Sequence, residues 1–225
     1  MSTPPEALSR RSPIHSWLEA QRPTWRLLEG CQVAISLQDV QDELATKSTL
    51  AICDLSVLAK LGIKGQAAAD WLRSQQLSAP DRIYDVHRPA NGGLIARLGT
   101  DEFLLESSLK LNDFSKLCLR ADQAPGHVYA FSREDATLVL LGSQADQVLA
   151  QTCGVNFARA EPDQVILTRV AGVSCTVLPE PVNDVAAYRL WVDYTYAWYL
   201  WERLVEIVDS LGGTVIGAGA LLDEL

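Results

Sequence analysis

The chain has 225 residues and a mass of 24.6 kDa, with 48% hydrophobic and 21% charged residues. That is the composition of a folded domain and excludes disordered and collagen-like chains. The 28 acidic residues outnumber the 19 basic ones and leave a net charge of −9, a field that repels phosphate backbones and argues against nucleic acid as a partner. No apolar run approaches the ~20 residues needed to span a bilayer. Arg10-Arg11 is followed by Ser12-Pro13-Ile14-His15 and not by an apolar stretch, so neither a secretory nor a twin-arginine signal is expected, and the sequence predicts a cytoplasmic chain.

Residues 1–24 read as an N-terminal tail or arm. Pro4, Pro5, Pro13 and Pro23 interrupt any helix, and Ile14, Trp17 and Leu18 are its only concentrated apolar content. Such an arm docks either on its own domain or on a neighbour. Residues 25–225 form the body, which repeats weakly, with halves at about 45–125 and 126–225. Setting Gly65 on Gly142 puts Leu61 on Leu138, Ile63 on Leu140, Ala68 on Ala145 and Leu72 on Leu149. Each copy is an alternating strand, a glycine turn and a short amphipathic helix. In the first copy a turn at Gly99 to Asp101 then leads into a strand, and a helical pattern runs from about Lys110 to Arg120. In the second, Asn183-Asp184 precedes the strand Ala187 to Val192, and a helix runs from Ala197 to Leu211, ended by Gly212-Gly213. Each half thus reads β-α-β-β-α. The fold class predicted is α+β without a parallel sheet, its two repeated halves sharing one core because each is too small to bury much alone.

The residues offer little catalytic chemistry. Five cysteines (Cys31, Cys53, Cys118, Cys153, Cys175) and three histidines (His15, His87, His127) are scattered, with no Cys-x-x-Cys spacing for zinc or a redox pair. Cys118 sits in an apolar stripe with Phe114 and Leu117 and reads as core. No Gly-x-Ser-x-Gly elbow, P-loop or dinucleotide fingerprint is present. His87, just before Pro89-Ala-Asn-Gly-Gly93, reads either as a loop acid or base or as an exposed loop histidine. No catalytic, cofactor-binding or metal residue is therefore assigned. An aromatic cluster stands out instead: Trp191, Tyr194, Tyr196, Trp198, Tyr199 and Trp201 fall within eleven positions. At helical spacing Trp198 and Trp201 share a face with Val205, while Tyr199 is turned away. One stripe belongs to the core, and the other suits a protein interface, where Trp and Tyr are favoured anchors. Trp17, Trp198, Tyr199 and Trp201 are the candidate partner contacts.

The run Ile52-Cys-Asp-Leu-Ser-Val-Leu-Ala-Lys-Leu-Gly-Ile-Lys-Gly-Gln-Ala-Ala-Ala-Asp-Trp-Leu72 resembles the early segment of the glycine-cleavage T-protein (aminomethyltransferase) family, and Gly217-Ala-Gly-Ala-Leu-Leu-Asp-Glu-Leu225 resembles the segment closing its folate-binding module. Closer still is the γ subunit of heterotetrameric sarcosine oxidase, built from the same module. Arg97-Leu-Gly-Thr-Asp-Glu-Phe-Leu-Leu105 resembles its Trp-Leu-Gly-Pro-Asp-Glu-Trp-Leu-Leu signature. Phe131-Ser-Arg with Leu138-Val-Leu-Leu-Gly142, Tyr188-Arg-Leu-Trp-Val192 and Ala197-Trp-Tyr-Leu-Trp-Glu-Arg-Leu204 resemble its later segments.

The departures from the family bear on function. Where folate-dependent members carry Gly-Gly-x-x-Asp-Asp, this chain reads Gly92-Gly-Leu-Ile-Ala-Arg97. Where a later glutamate of theirs binds the pterin edge, Arg189 stands. A carboxylate accepts two hydrogen bonds from a pterin, and a guanidinium only donates. The Lys-Gly-Cys-Tyr-x-Gly-Gln-Glu motif of the iron–sulfur-repair branch has no counterpart. The resemblance therefore implies a non-catalytic γ-like subunit of a sarcosine-oxidase-type flavoenzyme that oxidatively demethylates sarcosine or a similar secondary amine. No cofactor is expected on this chain, and FAD, FMN, NAD and tetrahydrofolate are expected on partner subunits. Two alternatives remain. One is a free-standing tetrahydrofolate-dependent aminomethyltransferase-like protein, with Asp85 or Asp101 replacing the missing acids. The other is the γ subunit of a related amine dehydrogenase, such as one acting on N-methylglutamate.

Overall fold

The computed structural model describes residues 11–28, 30–90, 92–108, 114–121, 123–182 and 185–221. Outside them lie Pro4 and Pro5, Asn91, the expected helix start at Lys110, Asn183-Asp184 and the final turn Asp223-Glu224.

The elements in chain order are α1 (His15–Ala20), β1 (Thr24–Leu28), β2 (Cys31–Ser36), α2 (Val40–Thr46), β3 (Ala51–Asp54), β4 (Lys60–Lys64), α3 (Ala68–Ser74), β5 (Val86–His87), β6 (Leu94–Gly99), β7 (Glu102–Glu106), α4 (Phe114–Ala121), β8 (Tyr129–Ser132), β9 (Ala136–Leu141), α5 (Ala145–Thr152), β10 (Ile166–Val170), β11 (Val173–Pro179), β12 (Ala187–Val192), α6 (Ala197–Ser210) and β13 (Thr214–Ile216). Local chemistry sets several boundaries. Asp39 caps α2 by accepting the Gln41 N–H at 2.9 Å. In α6 the residues Ala197, Leu200, Trp201, Leu204, Val205 and Val208 are buried at helical spacing. That helix stops at Gly212, whose φ of +77° lies in the left-handed region, and Gly213 N–H returns to the Val208 carbonyl at 2.8 Å.

The strands form a five-stranded sheet, β5-β6-β7-β4-β8, a six-stranded sheet, β10-β11-β12-β9-β3-β13, and the hairpin β1-β2. All pairings are antiparallel except β13 on β3. The fold is therefore the α+β arrangement expected. The hairpin at residues 24–36 and the helices α1 and α2 are elements that the sequence reading did not assign, and α1 corrects the expectation that prolines interrupt any helix in the arm, because it fits between Pro13 and Pro23.

The repeat is structural. β4, Gly65 and α3 correspond to β9, Gly142 and α5. Both glycines hold positive φ, +127° and +115°. A Cβ at either would strike backbone, the His127 carbonyl in one case and Thr49 in the other, so the turn needs glycine at each. The strands flanking each central strand also correspond, with one exchange. β3 precedes β4 in the chain yet pairs with β9, and β8 precedes β9 yet pairs with β4. Each half thus completes the other's sheet, which is how the two share a core.

The outer face of the five-stranded sheet packs Leu61, Ile63, Ile95, Phe103 and Leu105 against Trp71 and Leu72 of α3 and Leu117 of α4. Cys118 is half-buried beside them. The outer face of the six-stranded sheet packs Ile52, Leu138, Leu140 and Leu190 under α5 and α6. Each such fully buried aliphatic side chain contributes roughly 1.5–3 kcal/mol. The inner faces meet through Leu94, Ala96 and Leu104 on one sheet and Leu178 and Trp191 on the other. Beside that contact lies the site described next.

Candidate functional site: a buried ion-pair chain between the sheets

Glu106 ends β7 with its side chain on the inner face, where its carboxylate is fully covered. Thr137 Oγ1 and Trp191 Nε1 donate to Oε2 at 2.6 and 2.7 Å, Arg189 Nη1 donates to Oε1, and Lys60 Nζ stands 3.5 Å from Oε2. Arg189 reaches on with Nε to Glu180 Oε1 at 2.7 Å. Arg88 Nη2 meets the other oxygen of Glu180 at 2.7 Å and Asp163 at 3.1 Å. Acids and bases thus alternate along Asp163, Arg88, Glu180, Arg189, Glu106 and Lys60, the last four buried.

A second branch starts at Asp54. Ser56 donates both its N–H (3.0 Å) and its hydroxyl to Asp54, and the same hydroxyl accepts the Thr137 N–H at 3.1 Å. Ser12, in the N-terminal arm, also hydrogen-bonds Asp54.

The electrostatics follow from these contacts. Burial pushes the Glu106 carboxyl up, but Arg189 and Lys60, with the Thr137 and Trp191 hydrogen bonds, outweigh it and hold the group below its ordinary value. Burial pulls Arg189 down, and Glu180 and Glu106 more than offset that, so its charge is secured. Asp54 goes the other way: burial raises it despite the hydrogen bonds from Ser12 and Ser56. Burial also raises the thiols of Cys53 and Cys175, the latter to about 12, which makes both poor nucleophiles. Every charged member of the chain has a charged partner, so the cluster holds no idle acid or base. Removing one partner of such a buried pair is costly, on the order of 3–5 kcal/mol.

The two arginines at the resemblance's acidic positions are both engaged inside the chain. Arg189 is held by Glu106 and Glu180. Arg97 turns to the opposite side of its sheet, where its guanidinium donates to the carbonyls of Pro80, Asp81, Gly99 and Thr100 and lies 5.5 Å from the Phe103 ring centre. Ala96 is fully buried among Leu94, Leu104, Leu178 and Trp191. Positions 96, 97 and 189 therefore present no acceptor pair to a pterin edge, and these residues do not fit the folate contacts that the resemblance implies.

A cavity of about 700 Å³ opens at the β5 end of the five-stranded sheet. Its floor includes Leu94, Ile95 and Leu105, and His87, Arg88 and Arg120 stand on its walls. Glu106 borders it with its carboxylate turned into the ion-pair chain. Of the two readings open for His87, the structure places it half-buried on this wall. Asp85 and Asp101 do not line it. Asp101 occupies the β6–β7 turn, at the far end of that hairpin from Glu106.

The aromatic candidates divide. Trp201 is fully buried and meets Trp17 edge-on at 5.2 Å, while Ile14 and Leu18 of the arm are buried in the same core. Trp198 is 40% and Tyr199 46% exposed at the start of α6, with Tyr194 and Tyr196 also exposed just before it. Tyr199 Oη donates to the Ala171 carbonyl at 3.2 Å. Sequence reasoning missed Lys60, Glu106, Thr137 and Glu180. The available signal was a lone charge closing an apolar strand, as in Phe103-Leu-Leu-Glu106. Among the described residues there is no cluster of metal ligands and no helix long and apolar enough to cross a membrane.

This architecture is the aminomethyltransferase fold, a module that also occurs in sarcosine oxidase. The glycine cleavage system aminomethyltransferase T from Bartonella henselae superimposes with a TM-score of 0.73 at 18% identity, over 94% of this chain and 60% of that one. A chain of the heterotetrameric sarcosine oxidase from Corynebacterium sp. U-96, solved in complex with pyrrole 2-carboxylate, gives 0.64 at 15% identity, over 91% of this chain and 97% of that one. In sequence, aminomethyltransferases of Desulfitobacterium hafniense (strain Y51) and Alkaliphilus metalliredigens are 24% and 20% identical over 195 and 229 residues. These cover 80% and 94% of this chain but 53% and 62% of those proteins, so the chain spans little more than half the length of the curated relatives it matches. No protein-family model matches it.

Proposed function

We propose that this chain is a non-catalytic, γ-like structural subunit of a heterotetrameric sarcosine-oxidase-type flavoenzyme. The observation that carries the reading is the engagement of Arg189 by Glu106 and Glu180 at a position where folate-dependent relatives need an acceptor. The end-to-end likeness to one chain of a heterotetrameric sarcosine oxidase supports it. Flavins, NAD and tetrahydrofolate then sit on other subunits, and substrate choice, sarcosine or another secondary amine such as N-methylglutamate, is made there. The exposed rings of Trp198 and Tyr199 at the start of α6 supply contact surface, while Trp201 is buried against Trp17.

The test is gentle purification of the tagged chain from its native cell, with an absorbance spectrum and identification of co-purifying chains. A yellow complex of fixed stoichiometry is expected. A colourless chain that purifies alone overturns the reading. Tetrahydrofolate titration of that isolated chain then decides for an aminomethyltransferase-like protein if binding is found and is lost in Asp85→Ala or Asp101→Ala.

A further inference from the structure

Among the described residues, the internal repeat shows an edge that one half covers and the other leaves open. β3 and β8 hold corresponding places beside the two central strands. Their registers match residue for residue, because Ala51, Ile52 and Cys53 pair with Leu141, Leu140 and Val139 as Tyr129, Ala130 and Phe131 pair with Lys64, Ile63 and Gly62. The far edge of β3 carries β13, with Thr214, Val215 and Ile216 running parallel along Ala51 to Cys53. The far edge of β8 carries no strand among the described residues.

That edge is undefended. Arg133 N–H bonds the Lys60 carbonyl at 3.2 Å, which sets the alternation: Tyr129 and Phe131 bond inward to β4, and the N–H and C=O of Ala130 point outward. Exposed edges are normally blunted by lysine, proline or a bulge. Tyr129-Ala-Phe-Ser132 has none of these, and Tyr129 and Phe131 are 67% and 42% exposed, whereas Ala51 and Cys53 at the covered edge are fully buried.

We infer that the β8 edge accepts a short extended segment of a partner chain, running parallel to β8 as β13 runs along β3, and of the same uncharged, β-branched chemistry as Thr214–Ile216. Its main chain takes the outward groups of Ala130, and its side chains cover Tyr129 and Phe131. The inference deepens the subunit reading and rests on it for the identity of that partner.

Hydrogen exchange on the tagged full chain, alone and in the complex recovered from its native cell, tests it. The outward Ala130 amide should exchange freely in the isolated chain and at least ~100-fold more slowly in the complex. Ala130→Pro removes an outward donor at an edge position of the kind that tolerates proline, and Tyr129→Lys adds a charge at an exposed position without touching the core, so the Tyr129→Lys variant should keep the melting temperature of the isolated chain and both should recover at least ~10-fold less partner. A flavin-bearing complex in which the Ala130 amide exchanges as fast as in the free chain overturns the inference and leaves the subunit reading standing. Protection at β8 by a partner without flavin supports the inference and sinks the reading. Protection through self-association makes the occupant a second copy and overturns the inference, and so does a solitary monomer with a freely exchanging edge.

Discussion

The two faces of each sheet have kept different amounts of the repeat. On the outer faces, under the helices, corresponding positions carry Leu61 and Leu138, Ile63 and Leu140, Ala68 and Ala145, Leu72 and Leu149. On the inner faces, the strand registers make Lys60 correspond to Thr137, Leu104 to Arg189 and Glu106 to Trp191. The difference has a physical reason. The outer positions of the central strands β4 and β9 meet the helices of their own half, Leu61 and Ile63 under α3 and α4 and Leu138 and Leu140 under α5 and α6, so the same apolar residue serves both. Inner positions of the two halves meet each other, and like charges facing across the interface could not both stay ionised in a buried site. Glu106 is buried with its charge because the other half supplies Arg189, Thr137 and Trp191. A symmetric backbone therefore carries a complementary and asymmetric interior.

The largest test strikes that asymmetry. Arg189→Met leaves Glu106 and Glu180 short of their shared cation and should cost about 3–5 kcal/mol in urea unfolding. Leu104→Met at the corresponding position of the first half swaps one buried apolar side chain for another and should cost less than about 1.5 kcal/mol. Equal losses would mean that the inner faces are interchangeable after all. Next in size is the test of the symmetric part. Gly65→Ala and Gly142→Ala each force a side chain into left-handed backbone and against a carbonyl, so each should cost roughly 2–3 kcal/mol. A loss confined to one of them would show that the two turns are not equivalent.

The same contrast explains what was legible in the sequence. The repeat could be found because its outer residues match one for one, and α+β followed from the strand–glycine–helix grammar around Gly65 and Gly142. The strand exchange was not legible, since pairing β3 with β9 and β8 with β4 leaves no mark in either segment's own periodicity. The ion-pair chain was hidden for a related reason. Its members come from β4, β7, β12 and the segments around Arg88, Asp163 and Glu180, and complementarity across the interface has no sequence spacing. Arg189 was singled out only as a departure from a family pattern. Its role depends on Glu106, 83 positions away, and no local reading couples the two. Trp198 was grouped with Trp201 on helical spacing, yet one is exposed and the other buried, because the stripe that α6 buries runs through Ala197 and Leu200 and leaves Trp198 at its margin.

The smallest effect separates the two buried carboxylates by the sign of their pH dependence. Glu106 is held below its ordinary 4.5 by Arg189 and Lys60, which outweigh burial. The unfolded chain therefore takes up the proton first, and the stabilisation from Glu106, complete above about pH 4.5, is lost as pH falls through its depressed folded value. Asp54 is raised above its ordinary 3.8 by burial. Its ionised form is penalised at neutral pH, and that penalty fades as pH falls through the raised folded value toward 3.8. The two slopes oppose each other, and neither exceeds about 1.4 kcal/mol per pH unit, the limit set by a single proton. Unfolding midpoints measured from pH 7 to pH 3 should fall less steeply with acidification in Glu106→Gln than in the natural protein, and more steeply in Asp54→Asn. Reversed or unchanged slopes would mean that the inner carboxylate is not held by the other half's arginine, and the complementarity between the halves would lose its electrostatic basis.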